Sequence, residues 1–235
     1  MIDFDFTIVR RNRRKTASIS VSPENRVTIT VPDYLSDDRI MEIIERKSRW
    51  IRKRIADNPG RVGQVKPREY ISGETFKYLG KTLLLQVKPD VASNLSLEGD
   101  VLVARIPWKL DEGRRRDYIA ARVEEWYRSR AVETLVERVR LHEKLVGKKV
   151  NTIRVKDLSS RWGSCSIRGN LNFNWKIIIA PVEILDYVVI HELCHLIHLD
   201  HSPRFWGLVQ SILPDYALRR KWLRAHGPSL ELSNG

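Results

Sequence analysis

Cysteine is nearly absent from this chain: Cys165 and Cys194 are the two among 235 residues. That excludes a disulfide framework and leaves too few thiols for a cysteine-built structural zinc. Long apolar runs are missing too, and no stretch approaches the ~20 apolar residues that a bilayer span needs. The start, Met1-Ile2-Asp3-Phe4-Asp5, leads into Arg10-Arg11-Asn12-Arg13-Arg14-Lys15 with no apolar segment after it. Neither a secretory signal nor a membrane span is expected, and the expected location is the cytoplasm. No GxxxxGK[ST] phosphate loop, internal repeat or low-complexity segment occurs. Acidic residues are in deficit, 29 against 42 Lys and Arg, for a net charge of +13. The surplus favours anionic partners such as nucleotides, nucleic acid or acidic surfaces, although a basic balance can also serve solubility alone. The remainder, 42% hydrophobic and 30% charged, is that of a globular chain with room for one large domain or two modest lobes.

What is present concentrates in one stretch, His191-Glu192-Leu193-Cys194-His195-Leu196-Ile197-His198-Leu199-Asp200-His201, which holds four of the six histidines. On a helix, His191 and His195 lie one turn apart on the same face, where two imidazoles converge on one ion. Glu192 lies about 100° further round, beside that ion. A catalytic zinc takes three protein ligands and keeps one position open. Two histidines compete for the third place. His198 returns to the same face but ~4.5 Å further along the axis than His195, a poor approach to a tetrahedral ion. His201 is the better candidate if the helix ends near His198 or Leu199. The stop signals follow at once: Asp200, then Ser202 as N-cap and Pro203 as first residue of a helix carrying Phe205, Trp206, Leu208, Val209 and Ile212. Cys194 is expected to pack as a small apolar residue.

The rest of the chain reads as α+β. Phe4, Phe6 and Ile8 open an alternating pattern, and 17–21 and 27–31 flank a turn at Ser22-Pro23-Glu24-Asn25-Arg26. A helix is expected from 36 to about 56, with Ile40, Ile43, Ile44, Ser48, Ile51 and Ile55 on one face and a dense basic load on the others. Its Trp50 either stacks on a base or packs. Asn58-Pro59-Gly60 closes it, with a loop to about 68. Strands are expected at 70–71, 75–79, 82–87, 93–97 and 101–106. A long helix follows over 113–145, with Ile119, Val123, Trp126, Ala131, Leu135, Val136, Val139 and Leu141 at helical spacing, ended by Gly147. Residues 150–155 read as a strand. A hairpin turns at Arg168-Gly169-Asn170 between Ser159–Ser166 and Leu171–Trp175, with Trp162 and Trp175 in the core or its edge offered to an extended peptide. The HExxH helix begins at Val182 or Glu183, a last basic helix covers about 217–225, and 227–235 reads as a frayed tail. This predicts a β-rich N-terminal lobe with one long helix, residues 1–112, and a metallohydrolase core, residues 113–235.

Arg161-Trp162-Gly163-Ser164-Cys165-Ser166, Leu171-Asn172-Phe173-Asn174-Trp175, Ala180-Pro181, Asp186 to His195 and His201-Ser202-Pro203-Arg204-Phe205-Trp206 together resemble the YgjP-like zinc metallopeptidases, near the WLM and SprT-type zincins. The resemblance covers most of the chain and is densest over 155–225. It implies zinc on His191, His195 and His201, Glu192 as the catalytic residue, and a minimal zincin-like core with a strand edge over the active-site helix. Metzincins share the histidine spacing but have glycine where this chain has His198, so the likeness is to the WLM-like arrangement.

The chemistry expected is hydrolysis of a peptide or protein substrate with zinc as cofactor, Glu192 moving the proton. Arg161, Tyr187, His198 and Tyr216 are candidates for stabilising the oxyanion. Each has a structural alternative: Tyr187 in the core, Arg161 holding the hairpin, His198 supporting a ligand. Nucleoside triphosphate hydrolysis to pyrophosphate, notably of UTP, is the alternative substrate reading that the family resemblance implies. A nucleic-acid-binding protein with a structural zinc is the third, against which stands the usual four-ligand coordination of such sites.

Overall fold

The computed structural model describes residues 2–12, 14–22, 25–57, 68–91 and 93–232. Contacts divide the chain into two compact units, Met1–Lys66 and Pro67–Gly235. The closing residues 58–60 of the first helix and most of the loop after it lie outside the described residues.

The N-terminal unit contains β1 (Phe6–Arg11), β2 (Ser18–Val21), β3 (Val27–Pro32) and the helix α1 (Asp37–Asp57). The sheet order is β1-β3-β2, with β1 parallel and β2 antiparallel to β3. Alternation puts Val27, Ile29 and Val31 on one face of β3, and α1 covers them with Ile40, Ile44 and Ile51. Acidic Asp37 and Asp38 sit in the first turn of α1 and Arg54 in the last, the polarity that the helix dipole favours. Ile43 and Ile55 are only half-buried. Trp50 does not pack into the core; it is 47% exposed.

The C-terminal unit begins with β4 (Thr75–Tyr78), β5 (Lys81–Asp90), β6 (Asn94–Glu98) and β7 (Val101–Pro107), in the order β4-β5-β7-β6. The expected strand at 70–71 is absent, because Tyr70 has φ 55° and Gly73 φ 99°, and the chain turns there. Next come α2 (Glu112–Val146), β8 (Thr152–Lys156), β9 (Gly163–Cys165) and β10 (Asn170–Asn174). The second sheet has the order β8-β10-β9, leaving β9 at its edge. A 3-10 helix, Trp175–Ile179, leads into α3 (Val182–Cys194), followed by α4 (Pro203–Ile212), α5 (Tyr216–His226) and a 3-10 turn at Gly227–Ser229.

The unit boundary differs from the division at 112 expected from sequence. Phe76, Leu83, Leu85, Leu102, Ala104 and Ile106 from β4, β5 and β7 join the same core as α2 and α3. Tyr127 on α2, missed as a core residue, donates its hydroxyl to the Lys77 carbonyl at 2.7 Å, tying β4 to that helix. Leu141, by contrast, is 54% exposed. The 227–232 segment is no frayed tail: Leu230 is buried, and Glu231 pairs with Lys176 at 2.6 Å. No described helix is long and apolar enough to cross a membrane.

Two contacts fix α3. At its start, the Leu79 N–H donates to the Ile178 carbonyl at 2.8 Å. Gly80, at φ 80°, lies where a Cβ would come within 3.0 Å of Pro181 Cα, so the β4–β5 turn buttresses the residue before the helix. Further along, Asp186 receives the Arg138 guanidinium through two bonds, one of 2.6 Å, and His142 Nε2 lies 3.1 Å away. Burial alone would raise the Asp186 pKa, but the hydrogen bonds from His142 and Arg138 outweigh it and hold the carboxyl below its ordinary value. Asp186→Ala strands the Arg138 guanidinium, which is still partly solvated, and is expected to lower unfolding free energy by about 2–3 kcal/mol in urea titrations. A depressed carboxylate pKa stabilises the fold above the unfolded-state value. The stability gap between wild type and Asp186→Asn is therefore expected to be widest above pH ~4 and to shrink as pH falls through the native value.

Candidate metal centre

The helix that carries the motif is apolar almost all round: every residue from Ile184 to Ile190 is buried. It ends sooner than expected. Regular α-helix stops at Cys194, and the backbone tightens through Leu196 N–H to Leu193 carbonyl (2.9 Å) and Ile197 N–H to Cys194 carbonyl (3.1 Å). This turns the chain without a glycine and carries His201 back toward the two helical histidines. The Ser202 N–H donates to Asp200 Oδ1 at 3.2 Å, and Pro203 then opens α4; the Ser202 side chain makes no capping bond.

His191, His195 and His201 come together, with one ring nitrogen of each within 4.8 Å of the others. The Nε2 atoms of His191 and His201 are 3.1 Å apart. His195 Nδ1 is 2.8 Å from the His198 carbonyl, which makes Nδ1 the donor and leaves Nε2 with its lone pair free. His198 therefore serves through its backbone, and its ring is not among the three. Two residues of α4 hold the rings in place. Phe205 stacks on His195 at 4.4 Å, and Trp206 stacks on His201 at 5.6 Å.

The donor set suits a divalent cation. Burial first, then the neighbouring imidazoles, lower the His191 pKa to about 3, and burial also lowers that of His195. Both rings are thus neutral at pH 7, the form that ligates metal. Neither thiol competes. Burial and the Glu192 carboxylate push Cys165 up to about 11, and burial pushes Cys194 to about 12.

The three imidazoles line a cavity of about 530 Å³ with Glu192, Tyr187, Arg161, Trp162 and β9. Glu192 is 5% exposed. Burial raises its pKa to about 8, with Arg161 pulling the other way; a cation in the cradle would draw it down further. Tyr187 is buried and its hydroxyl stays protonated, its pKa raised to about 12 by burial. Arg161 is exposed in the lining. Tyr216, the fourth oxyanion candidate, is not in this lining: it stacks on Trp206 at 5.3 Å. Trp175 is core, whereas Trp162 is half-buried and lines the cavity.

Three contributors escaped sequence reasoning. Gly163 has ordinary φ, yet a Cβ there would lie 2.6 Å from Glu192 Cγ and Oε1, so only glycine lets the β9 backbone close over that carboxyl. Trp206 reads as one of the large side chains that the helix after Pro203 carries, and its stacking on His201 has no sequence signal beyond adjacency to the motif. Arg220 lies over the Trp206 ring at 4.5 Å and contributes its positive field to His191. It was one of several cations in a basic helix.

His201→Ala is expected to abolish high-affinity divalent-metal uptake, whereas His198→Ala is expected to retain it; elemental analysis after dialysis distinguishes them. Gly163→Ala is expected to retain the metal while losing about 1–3 kcal/mol of stability through overpacking against Glu192.

A family model described as "YgjP-like, metallopeptidase domain" matches residues 15–226. Among solved structures, the chain is similar to the metallopeptidase zymogen of Pyrococcus abyssi abylysin, at 21% identity and a TM-score of 0.35, over 38% of this chain and 92% of that one. No curated protein matches it.

Proposed function

The chain belongs to the YgjP-like metallopeptidase family, and on that footing we propose that it is a zinc-dependent peptidase whose metal ligands are His191, His195 and His201 and whose general base is Glu192. The observation that carries this reading is the convergence of three imidazoles and one buried carboxyl on a single cavity. Three ligands and no fourth in the cluster, among the described residues, suit a catalytic site better than a structural one. Zinc, when bound, supplies Lewis acidity toward water and toward the scissile carbonyl.

The protein's own groups supply the remainder. Glu192 accepts a proton from the attacking water and delivers it to the leaving amine. Tyr187, kept as a neutral hydroxyl, donates a hydrogen bond to the oxygen on which negative charge develops, with Arg161 as the alternative donor. β9 is an edge strand of its sheet and lines the cavity. An extended peptide or unfolded protein segment adds to that edge through backbone hydrogen bonds, its carbonyl held beside Glu192.

A second reading, nucleoside triphosphate hydrolysis at the same centre, is favoured by the cations around it: Arg161 in the lining and Arg220 over Trp206. Parallel assays separate the two. Glu192→Gln is expected to bind zinc normally and to lose roughly 10²–10⁴-fold in turnover of unfolded protein or peptide substrates. Turnover that survives this substitution rules out Glu192 as the base; pyrophosphate release from UTP without peptide cleavage replaces the peptidase reading with the second.

A further inference from the structure

The N-terminal unit has a concavity of its own, of about 510 Å³, with α1 on one side and the 16–19 segment on the other. Its α1 wall is a stripe at helical spacing: Ile43, Arg46, Lys47 and Trp50. Arg54 continues the same face one turn on. The opposite wall is exposed Thr16, two residues before β2, and exposed Ser18 at the start of that strand, an edge of its sheet. Arg14 holds that wall, donating to the Thr16 carbonyl at 2.7 Å and the Ser18 hydroxyl at 2.6 Å.

A solvated basic face is the plainer account, and two observations weigh against it. The first half of α1 mixes signs: Asp37, Asp38, Glu42 and Glu45 stand with Arg39, which pairs with Glu42. From Arg46 to Arg54 there are six cations and no acid. Like charges three and four residues apart destabilise a helix, and among the described residues Arg46, Lys47 and Arg54 have no carboxylate partner. The second observation is Trp50, a 47% exposed indole among those cations and lining the concavity. Cations that track phosphates, together with an aromatic face on which a base stacks, are the parts of a single-strand binding site. A duplex keeps its bases inside, and the carboxylate side chains of an acidic polypeptide offer no flat ring to the indole.

We propose that this groove binds single-stranded nucleic acid, with a base stacked on Trp50 and phosphates on Arg46, Lys47 and Arg54. The proposal is independent of the hydrolase reading, because its test reads binding and not turnover.

The full chain is titrated into fluorescein-labelled oligothymidylate of about 12 nucleotides, followed by anisotropy at low and moderate salt. Binding is expected to weaken steeply with salt. Trp50→Ala is expected to weaken it by roughly 5- to 100-fold, and Trp50→Phe by much less. The Arg46→Glu/Lys47→Glu double variant is expected to lose at least about tenfold through its phosphate contacts. Quenching of indole emission on binding is expected in the wild type and to be largely lost in Trp50→Phe. Absence of binding overturns the proposal, as does wild-type affinity in both Trp50→Ala and the double variant, which would put the strand elsewhere on the basic surface. Displacement by polyglutamate or duplex DNA as readily as by unlabelled oligothymidylate also overturns it. If Trp50→Ala disrupts the unit by circular dichroism, the decision rests on the double variant and the Trp50→Phe quenching, since Arg46 and Lys47 are exposed.

Discussion

A helix as uniformly apolar as α3 exists in water only when enclosed on all sides, and the C-terminal unit is arranged to enclose it. The long α2 and the 3-10 helix at 175–179, the β9 edge, and α4 with α5 each take part of its circumference. The same exclusion of water governs the polar side chains that α3 carries. It keeps the His191 and His195 rings neutral and raises Glu192. Asp186 escapes that effect because Arg138 and His142 reach it. Stability and chemistry thus share one cause: burial that holds the helix in place also sets the protonation of the groups at its end.

Local rules made the elements legible. Alternation marked β1, β2 and β3, the 3.6-residue period marked α1 and α2, and Pro203 and Gly147 marked where helices start and stop. The histidine triad was legible as well, since an i,i+4 pair followed by a turn leaves few geometries for the third ring. What local patterns could not show was which elements share a core. The change from strand patterns to a long helical period near residue 112 reads as a boundary, yet β4, β5 and β7 put their apolar residues into the α2 core, and the compact units part at Lys66–Pro67. That depends on contacts between residues far apart in the chain, for which periodicity carries no information.

The supporting side chains were hidden for a similar reason. Gly163 has no unusual dihedral and sits in no turn; its necessity lies wholly in what approaches it from another element. Trp50 was ambiguous from the pattern alone, because an aromatic next to Ile51 on a helix reads equally as core or surface, and only the sheet's position decides. Tyr216 and His198 were plausible by residue type, and each is engaged otherwise, one by a stacked indole and the other through its carbonyl.

The His198 carbonyl, held by the His195 ring, makes the link between α3 and α4 a matter of length before identity. Ile197 and Leu199 are exposed and can exchange side chains, whereas Leu196 packs on the core and Asp200 accepts the Ser202 N–H; the number of peptide units between the second and third imidazoles stays fixed. Relatives that keep this spacing should preserve the centre where those two exposed residues have changed, whereas one inserted residue would displace both the acceptor and the third ring.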